Sequence, residues 1–188
     1  MPLLSEVRKL TKFPSYCVDI PFNYVETWLS RQTEGGAIDF DPDFQRGHVW
    51  SDEQQSKFIE YIVKGGDTSN TLLWNHPAFQ REIAPHADLP QELLLVDGKQ
   101  RLNAVRRFMA DEVPIFGHTY SEWDDMGRYV DFNFRLKFAI NDLQTRAEVL
   151  QWYLDINDGG VVHSKDEIER VRDLLAAELD PPAPGMRP

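Results

Sequence analysis

The sequence predicts an α+β fold, because strand and helix patterns alternate along the chain. The apolar run at residues 93–96 passes directly into Asp97 and Gly98 and then into a helical spacing of apolar residues, as expected where a buried strand turns into a helix. Residues 132–140 alternate between apolar and polar side chains, which is the period of a half-buried strand. We therefore expect strands and helices to share one core.

Weaker signals precede these elements. Residues 15–20 are a candidate strand and residues 23–31 a candidate short helix, after which Gly35 and Gly36 break the pattern. Residues 38–47 are rich in acidic side chains and predict an extended loop.

A better-defined helix begins in the next segment. Ser51 and Gln54 have the spacing of a capping box and predict a helix start, and a glycine pair predicts the end of that helix. Residues 71–74 are a candidate strand. Residues 75–91 include three prolines and predict a long loop, which we interpret as a surface insertion rather than a lid.

Helices are predicted around and after the alternating strand. Apolar residues recur at helical spacing after Gly98. Thr145 with Glu148, and Ser164 with Glu167, repeat the capping-box spacing and predict two further helices. The tryptophans are expected in the core rather than as platforms for stacking bases. The tryptophans expected in the core are Trp50, Trp74, Trp123 and Trp152.

Length and charge limit the function classes. The 188 residues fit a single domain at residues 1–179, and the proline-rich residues 180–188 predict a disordered tail. The net charge of -11 argues against a protein that wraps duplex DNA with a broad basic face. A local basic patch, or a partner that supplies DNA binding, is still compatible with this charge.

Cysteine, histidine and hydropathy patterns exclude further classes. Cys17 is the only cysteine and is expected to be buried, and a single cysteine excludes an internal disulfide or a cysteine-based metal site. The five histidines show no metal-ligand spacing. No apolar run reaches membrane length, and the N-terminus lacks the order of a signal peptide. A cytoplasmic protein without a membrane partner is expected.

The turn at residues 97–102, Asp-Gly-Lys-Gln-Arg-Leu, is the strongest candidate for a functional site. Backbone N–H groups at a helix start lack partners within the helix and attract anions. Lys99 and Arg101 add positive charge there, where a cation is normally disfavoured, so an anion is a plausible reason for their presence. The alternative is that Asp-Gly forms an ordinary tight turn that needs no ligand.

Two motifs together resemble a known family. Asp43, Phe44, Gln45 and Arg46 precede Trp50 and a predicted helix, and the Asp-Gly-Lys-Gln-Arg turn precedes another. This arrangement resembles the ParB/sulfiredoxin-like superfamily, and within it most closely the N-terminal domain of GmrSD-type restriction systems. A later segment, Ile-Asn-Asp-Gly-Gly, is also similar to that family, and the likeness covers roughly residues 38–172.

The resemblance implies a compact ParB/sulfiredoxin-like α+β domain, with a small mixed sheet packed with several helices. It also implies nucleotide binding, and often hydrolysis, in a bacterial or phage-infected cell. Lys99 replaces the first glutamine that the family usually has in this turn. Gln100 stands where sulfiredoxin-like relatives have a histidine, which argues against a phosphohistidine-like role.

The turn supplies most of the hypothetical site. Gly98 would let the backbone approach phosphates, Arg101 would bind them with its forked guanidinium, and Lys99 would add a point charge. Asp97 is a candidate catalytic residue that would hold Mg²⁺ or orient the attacking water. Gln100 is the second candidate catalytic residue in the turn.

The remaining candidates come from two other segments. Gln45 and Arg46 would close the phosphate site from the second loop, and Asp43 is a candidate second carboxylate for metal binding or general-base catalysis. Asn157 is a candidate polar contact to the nucleotide. Simpler readings are that Arg46 and Arg101 pair with Asp43 and Asp97 to fix two loops, and that Asn157 marks an ordinary helix exit.

The sequence therefore predicts a nucleotide-binding, NTP-hydrolysing domain of a DNA-directed system such as restriction, phage defence or a phage-encoded counterpart. One alternative is a ParB-like nuclease, or a DNA-binding or adaptor module without chemistry; another is a kinase acting on a small molecule or a DNA base. No histidine-rich or paired-carboxylate nuclease motif follows Gly160, so nuclease activity from this chain alone is not expected. Expected partners are a nucleotide, DNA directly or through a partner nuclease, and a second copy of the chain in a homo-oligomer.

Overall fold

The fold is described by a computed structural model that covers residues 10–34, 36–45, 50–158 and 165–180. The elements run β1 (Tyr16–Pro21), α1 (Val25–Glu34), β2 (Ile38–Asp39), α2 (Asp52–Val63), β3 (Thr71–Asn75), β4 (Leu93–Asp97), α3 (Lys99–Met109), α4 (Met126–Phe132), β5 (Arg135–Asn141), α5 (Arg146–Asp158) and α6 (Lys165–Leu179).

The strands form one mixed sheet in the order β1-β5-β3-β4-β2. β1 pairs antiparallel with β5, and β3 pairs antiparallel with β4. β5 with β3, and β4 with β2, are parallel pairs. The predicted α+β class, with a mixed sheet packed with several helices, is therefore confirmed.

Helices pack on both faces of the sheet, as the two-residue period of the strands requires. Leu72, Trp74, Leu95 and Phe138 belong to a core with α1, α2, α3 and α4, whereas the intervening strand residues belong to a second core with α5 and α6. Those intervening residues are Leu73, Leu94, Val96 and Ala139. The end of β4 is thus covered by a different set of helices on each side.

The tryptophans take the core positions expected of them. Trp74 and Trp152 are fully buried, and Trp50 and Trp123 are partly buried against the first core. The predicted caps are confirmed at two helices. Ser51 and Gln54 form a complete capping box at α2, and the backbone and side-chain groups of Thr145 and Glu148 bond reciprocally at α5. The α5 bonds are Thr145 N–H to Glu148 Oε2 at 3.0 Å and Glu148 N–H to Thr145 Oγ1 at 3.2 Å.

Three expectations are corrected by the structure. Phe132 is the last residue of α4, because Met126 and Val130 give that segment a buried helical face, and the strand starts only at Arg135. The predicted loop at residues 38–47 contains β2, which pairs with β4. Cys17 is exposed, because it lies on the edge strand β1, where Ile20 is the buried residue. Ser164 lies outside the described residues.

The long loop between β3 and β4 is fastened by one buried side chain. Gln144 is 2% exposed, and its amide donates to the carbonyls of Pro77 and Glu82 at 3.1 and 2.8 Å. Its amide oxygen accepts the Ala84 N–H at 2.8 Å, and its backbone carbonyl accepts the Asp88 N–H. This fastening favours a fixed insertion over a lid.

Candidate functional site

The turn between β4 and α3 has the geometry that its sequence predicts. Gly98 is the N-cap residue of α3, with φ at 106°. A Cβ at this position would lie 2.4 Å from Leu72 Cδ2 and 3.2 Å from Leu72 Cα. Both the positive φ and the close approach to β3 therefore require glycine. This geometry explains why residue 98 is glycine. That the Gly98 backbone approaches phosphates stays a prediction.

The start of α3 carries backbone donors that have no acceptor within the helix. Gly98 provides no side-chain cap, and the first helical bond of this end joins the Leu102 N–H to the Gly98 carbonyl at 2.9 Å. The preceding N–H groups have no acceptor within the helix, and the helix dipole adds partial positive charge at the same place. This end of α3 favours an anion electrostatically.

Arg101 is held beside the turn by two acceptors. Its Nη2 lies 2.6 Å from Asp97 Oδ2, and its Nη1 donates to the Thr71 carbonyl on β3. The side chains of Arg101 and Asp97 remain 22% and 20% exposed. The ion pair considered from the sequence is present for Arg101, and its partial exposure leaves the guanidinium accessible from solvent.

The two motifs meet at the end of β4. Lys99 Nζ lies 2.6 Å from Asp41 Oδ1, and Gln45 Nε2 donates to the Val96 carbonyl at 2.9 Å. We call residues 41–45 and 97–101 together the two-loop site. The sequence predicts that Gln45 and Arg46 close the site beside this turn, and Asp41 is a neighbour of Lys99 that it did not identify.

A further bond links the turn to the start of the α2 segment. Gln100 Oε1 accepts the Trp50 N–H at 3.1 Å. The residues between Gln45 and Trp50, which include Arg46, lie outside the described part of the chain. The predicted role of Arg46 therefore stays a prediction. The bond to Trp50 gives Gln100 a structural role, and its catalytic role also stays a prediction.

Gln45 leaves an acceptor in the interior of the two-loop site. Its Nε2 faces the Val96 carbonyl, so the orientation of the amide is set by that bond. Gln45 Oε1 is buried and has no hydrogen-bond partner among the described residues. An unsatisfied buried acceptor costs free energy that a donor from water or a ligand would recover.

Asp43 faces α5 and α6. Both of its carboxylate oxygens lie 2.9–3.0 Å from Arg146 Nη2, and Arg146 Nε contacts Glu178 Oε1 at 2.9 Å. The Asp43 side chain is 54% exposed. Among the described residues, the arginine that pairs with the Asp43 carboxylate is therefore Arg146. The general-base role of Asp43 stays a prediction.

Asn157 contributes to a different part of the molecule. Its Nδ2 donates to the Tyr153 carbonyl at 2.6 Å, one helical turn back in α5. It also lines an open pocket of about 320 Å³ with residues of α5 and α6 that include Gln151, Asp155 and Arg172. Of the described residues that line this pocket, none belongs to the two-loop site. The proposed nucleotide contact of Asn157 is untested by this geometry.

Three polar residues near the two-loop site were not identified as site candidates from the sequence. The Tyr153 hydroxyl donates to Glu167 Oε1 at 2.7 Å, and both residues are buried. Burial raises the pKa of Tyr153, and the bond to Glu167 and the negative charge of Asp97 raise it further. Arg170 donates from Nη1 to the Asp43 carbonyl at 2.6 Å and from Nη2 to the Phe44 carbonyl at 2.8 Å.

Their sequence signals favoured other roles. Tyr153 fitted the apolar side of a helix, and Glu167 fitted a capping box. The three-residue spacing of Glu167 and Arg170 could have indicated a shared helix face, because residues three apart are neighbours on a helix. Only the fold shows that this face lies against the loop containing Asp43.

A metal ion would find few protein ligands here. In residues 10–34, 36–45, 50–158 and 165–180, no three histidine, cysteine, aspartate or glutamate side chains form a group that could hold one. Mg²⁺ commonly uses one or two carboxylates together with substrate phosphates and water. The chemistry of Asp97 fits such a minimal site, although Arg101 already contacts one of its oxygens.

The helices of the described residues include none with the length and apolar character needed to cross a bilayer. Comparison with known proteins gives one finding. Residues 25–156 match the family model described as the GmrSD restriction endonuclease, N-terminal domain. That match covers more than half of the chain and contains both segments of the two-loop site, and α6 lies beyond its end.

No curated protein and no solved structure is similar enough to this chain to count as a match. The family description links the domain to a restriction system, and so to DNA-directed defence. A family match over residues 25–156, together with the mixed sheet and the two-loop site, shows that the chain belongs to the family of GmrSD restriction endonuclease N-terminal domains.

Proposed function

We propose that the two-loop site binds and hydrolyses a nucleoside triphosphate within a DNA-directed restriction system. The observation that supports this most is the meeting of two motif segments at an uncapped helix start. Lys99 joins Asp41 there, and Gln45 joins the strand residue just before Asp97. Charged groups, backbone donors and a carboxylate are thus gathered at one accessible place.

Phosphate binding follows from the charges at the start of α3. Two cations in the first turn of a helix oppose its dipole unless an anion lies near them. Lys99 is paired with Asp41, whose side chain is 68% exposed, so phosphate can replace this carboxylate at little cost. Arg101 keeps its bond to the Thr71 carbonyl and offers the rest of its fork to phosphate oxygens.

Hydrolysis depends on positioning and charge neutralisation at this place. Water attacks the γ-phosphorus, the bond to the β–γ bridging oxygen breaks, and the products are a nucleoside diphosphate and inorganic phosphate. Lys99 and Arg101 neutralise charge that develops on the phosphoryl oxygens. Asp97 and Gln100 orient the attacking water. Mg²⁺, when bound by Asp97 and the phosphates, would supply further charge neutralisation.

Phosphate release tests this proposal directly. The wild-type protein would be incubated with Mg²⁺ and each of the four NTPs beside Arg101→Ala and Arg106→Ala. Arg106 lies on the same helix and is exposed, where it pairs with Glu26, so it is a matched control. We expect Arg101→Ala to lower the rate by about 100-fold or more, and Arg106→Ala to retain it. Equal rates for wild type and Arg101→Ala would refute the assignment.

A second candidate is a nucleotide-gated adaptor that performs no chemistry. The observation in its favour is that surface arginines are paired with carboxylates, as in Arg106 with Glu26 and Arg107 with Asp52 and Glu112. Paired arginines offer little net charge to a DNA backbone, which favours DNA contact through a partner. Thermal stabilisation by an NTP without phosphate release would select this candidate, and transfer of labelled phosphate to an alcohol or to DNA would select a kinase.

A further inference from the structure

We infer that Arg170 of α6 is a positioning residue for the two-loop site. Its guanidinium fixes the backbone of the loop that carries Gln45, and the bond from Gln45 to the Val96 carbonyl depends on that fixation. The placement of the loop is a property of the protein alone. Its consequence for nucleotide turnover rests on the proposed function.

The guanidinium contacts two successive carbonyls of this loop. Arg170 Nη1 and Nη2 donate to the Asp43 and Phe44 carbonyls at 2.6 and 2.8 Å. A rigid planar fork fixes the position and the orientation of the two successive peptide groups to which these carbonyls belong, which a single point charge cannot do. One helix residue thus defines the loop backbone directly before Gln45.

The helix that carries Arg170 is itself anchored beside the same loop. Glu167, one turn earlier in α6, accepts the Tyr153 hydroxyl at 2.7 Å in the interior. The Phe44 ring packs edge-on against the Tyr153 ring, with 5.3 Å between ring centroids. Arg170 therefore acts from a support that is locked to α5 and in contact with the loop side chain.

The effect of Arg170 reaches the turn through bonded neighbours. The Gln45 N–H bonds to the Pro42 carbonyl at 2.8 Å, and Gln45 Nε2 bonds to the Val96 carbonyl at 2.9 Å, one residue before Asp97. A shift of the loop would therefore move Gln45 relative to β4. The acceptors that the structure gives Arg170 belong to the loop and not to the turn, which is why its role is positioning.

The experiment compares the wild-type chain with Arg170→Ala, Arg170→Lys and Arg172→Ala. Arg172 lies on the same helix and is exposed in the pocket between α5 and α6, so its removal controls for the loss of an α6 arginine. Hydrogen exchange of the backbone amides at residues 43–45 reports the loop without any nucleotide. Michaelis kinetics with an NTP and Mg²⁺, and the melting temperature, are measured on the same proteins.

We expect Arg170→Ala to speed exchange at residues 43–45 by about tenfold and to lower kcat/KM by a similar factor. We expect Arg170→Lys to fall between Arg170→Ala and wild type, since a lysine can reach one carbonyl, and Arg172→Ala to match wild type. If the melting temperatures of Arg170→Ala and Arg172→Ala are close, the faster exchange and the lower kcat/KM come from the loss of positioning and not from general destabilisation. Unchanged exchange at residues 43–45 in Arg170→Ala would overturn the inference.

The two proposals fail in different ways. A wild-type protein that hydrolyses no NTP, combined with faster exchange at residues 43–45 in Arg170→Ala, would refute the proposed function and support the positioning role of Arg170. Normal hydrolysis by wild type, with exchange and kcat/KM of Arg170→Ala both unchanged, would refute the positioning role alone. Faster exchange with unchanged kcat/KM would support the placement of the loop by Arg170 and refute its consequence for turnover.

Discussion

Two polar regions lie at connections between strands of the same sheet: the two-loop site, and the contact of Gln144 with the β3–β4 loop, which we call the junction. They differ in how many of their buried donors and acceptors are bonded within the protein. At the junction, the donors and the acceptor of the Gln144 side chain are satisfied by carbonyls and an N–H group of the β3–β4 loop. At the two-loop site, a buried oxygen of Gln45 has no partner among the described residues. The start of α3 also lacks a side-chain cap.

This difference distinguishes a structural polar cluster from a candidate binding site. A buried amide with every bond formed holds chain segments together and has nothing left for a ligand. A site with an open acceptor among the described residues, a helix start without a side-chain cap and partly exposed cations retains capacity for a partner. Substitutions at the junction should therefore affect stability without nucleotide response. Substitutions of the charged side chains of the two-loop site should affect nucleotide response more than stability.

The largest loss of stability is expected from Gln144→Ala. It removes three hydrogen bonds and leaves the Ala84 N–H and the carbonyls of Pro77 and Glu82 without this partner. We expect a loss of about 4 kcal/mol in the free energy of unfolding, measured by urea titration. The exposed Gln91 gives a control, with about 0.5 kcal/mol or less for Gln91→Ala. A loss for Gln144→Ala as small as the control would mean that the loop is not held by this residue.

Gly98→Ala is expected to be the next most destabilising change. The new Cβ would approach Leu72 within 2.4 Å of Cδ2 and 3.2 Å of Cα, and φ is 106°, so we expect a loss of about 3 kcal/mol. Gly65→Ala is matched in backbone conformation, with φ at 92° and open space around the position. It should cost about 1 kcal/mol. Equal losses in urea titration would show that the contact with β3 has no energetic effect.

Arg101→Ala is expected to have a smaller effect on folding than either change. It leaves Asp97 and the Thr71 carbonyl without their contact to Arg101, but the partial exposure of the pair lets water replace these bonds. We expect a loss of about 1 kcal/mol, by urea titration without nucleotide. A loss as large as that of Gln144→Ala would identify Arg101 as a structural residue and remove the contrast between the two regions.

The smallest expected effect depends on pH and involves the cap of α5. Burial raises the pKa of Glu148, but the backbone N–H groups of Gln144 and Thr145 outweigh burial and hold the pKa below its ordinary value. The carboxylate therefore adds stability above about pH 4.3, and this contribution is lost as pH falls through the lowered pKa. Glu148→Gln should lose about 1 kcal/mol at pH 7.

Glu148→Gln should also show a shallower loss of stability than wild type as pH falls below about 4.3. Urea titrations at several pH values give both quantities. Parallel curves for the two proteins across this range would show that Glu148 is not the group whose protonation matters there.

The sequence predicted elements whose signals are local. The capping boxes of Ser51 and Thr145, and the strand that ends at Asp97, need only neighbouring residues to be recognised. The boundary of β5 was misplaced, because the alternating pattern extends back to Phe132 while helical burial of Val130 determines the structure there. Local patterns fix the element type better than its ends.

The candidate site was predictable only in part, for the same reason. Motif spacing and family resemblance predicted that residues 43–46 and the turn at residues 97–101 form one site. The bond from Gln45 to the Val96 carbonyl places these segments together, whereas Asp41, the partner of Lys99, was not a candidate. The roles of Gln144, Tyr153 and Arg170 depend on contacts between segments that are far apart in sequence, such as Arg170 with Asp43. No local pattern specifies which carbonyl an arginine on a surface helix will meet.

The central claim, that the two-loop site holds a nucleoside triphosphate, is tested most directly by melting the protein with and without each of the four NTPs and Mg²⁺. A ligand that binds only the native state at a concentration of 100 times its Kd adds about 2.7 kcal/mol to the free energy of unfolding. We predict a rise in the melting temperature of wild type with at least one NTP, and no rise for Arg101→Ala. An absence of any shift for wild type, or an equal shift for Arg101→Ala, would contradict the claim.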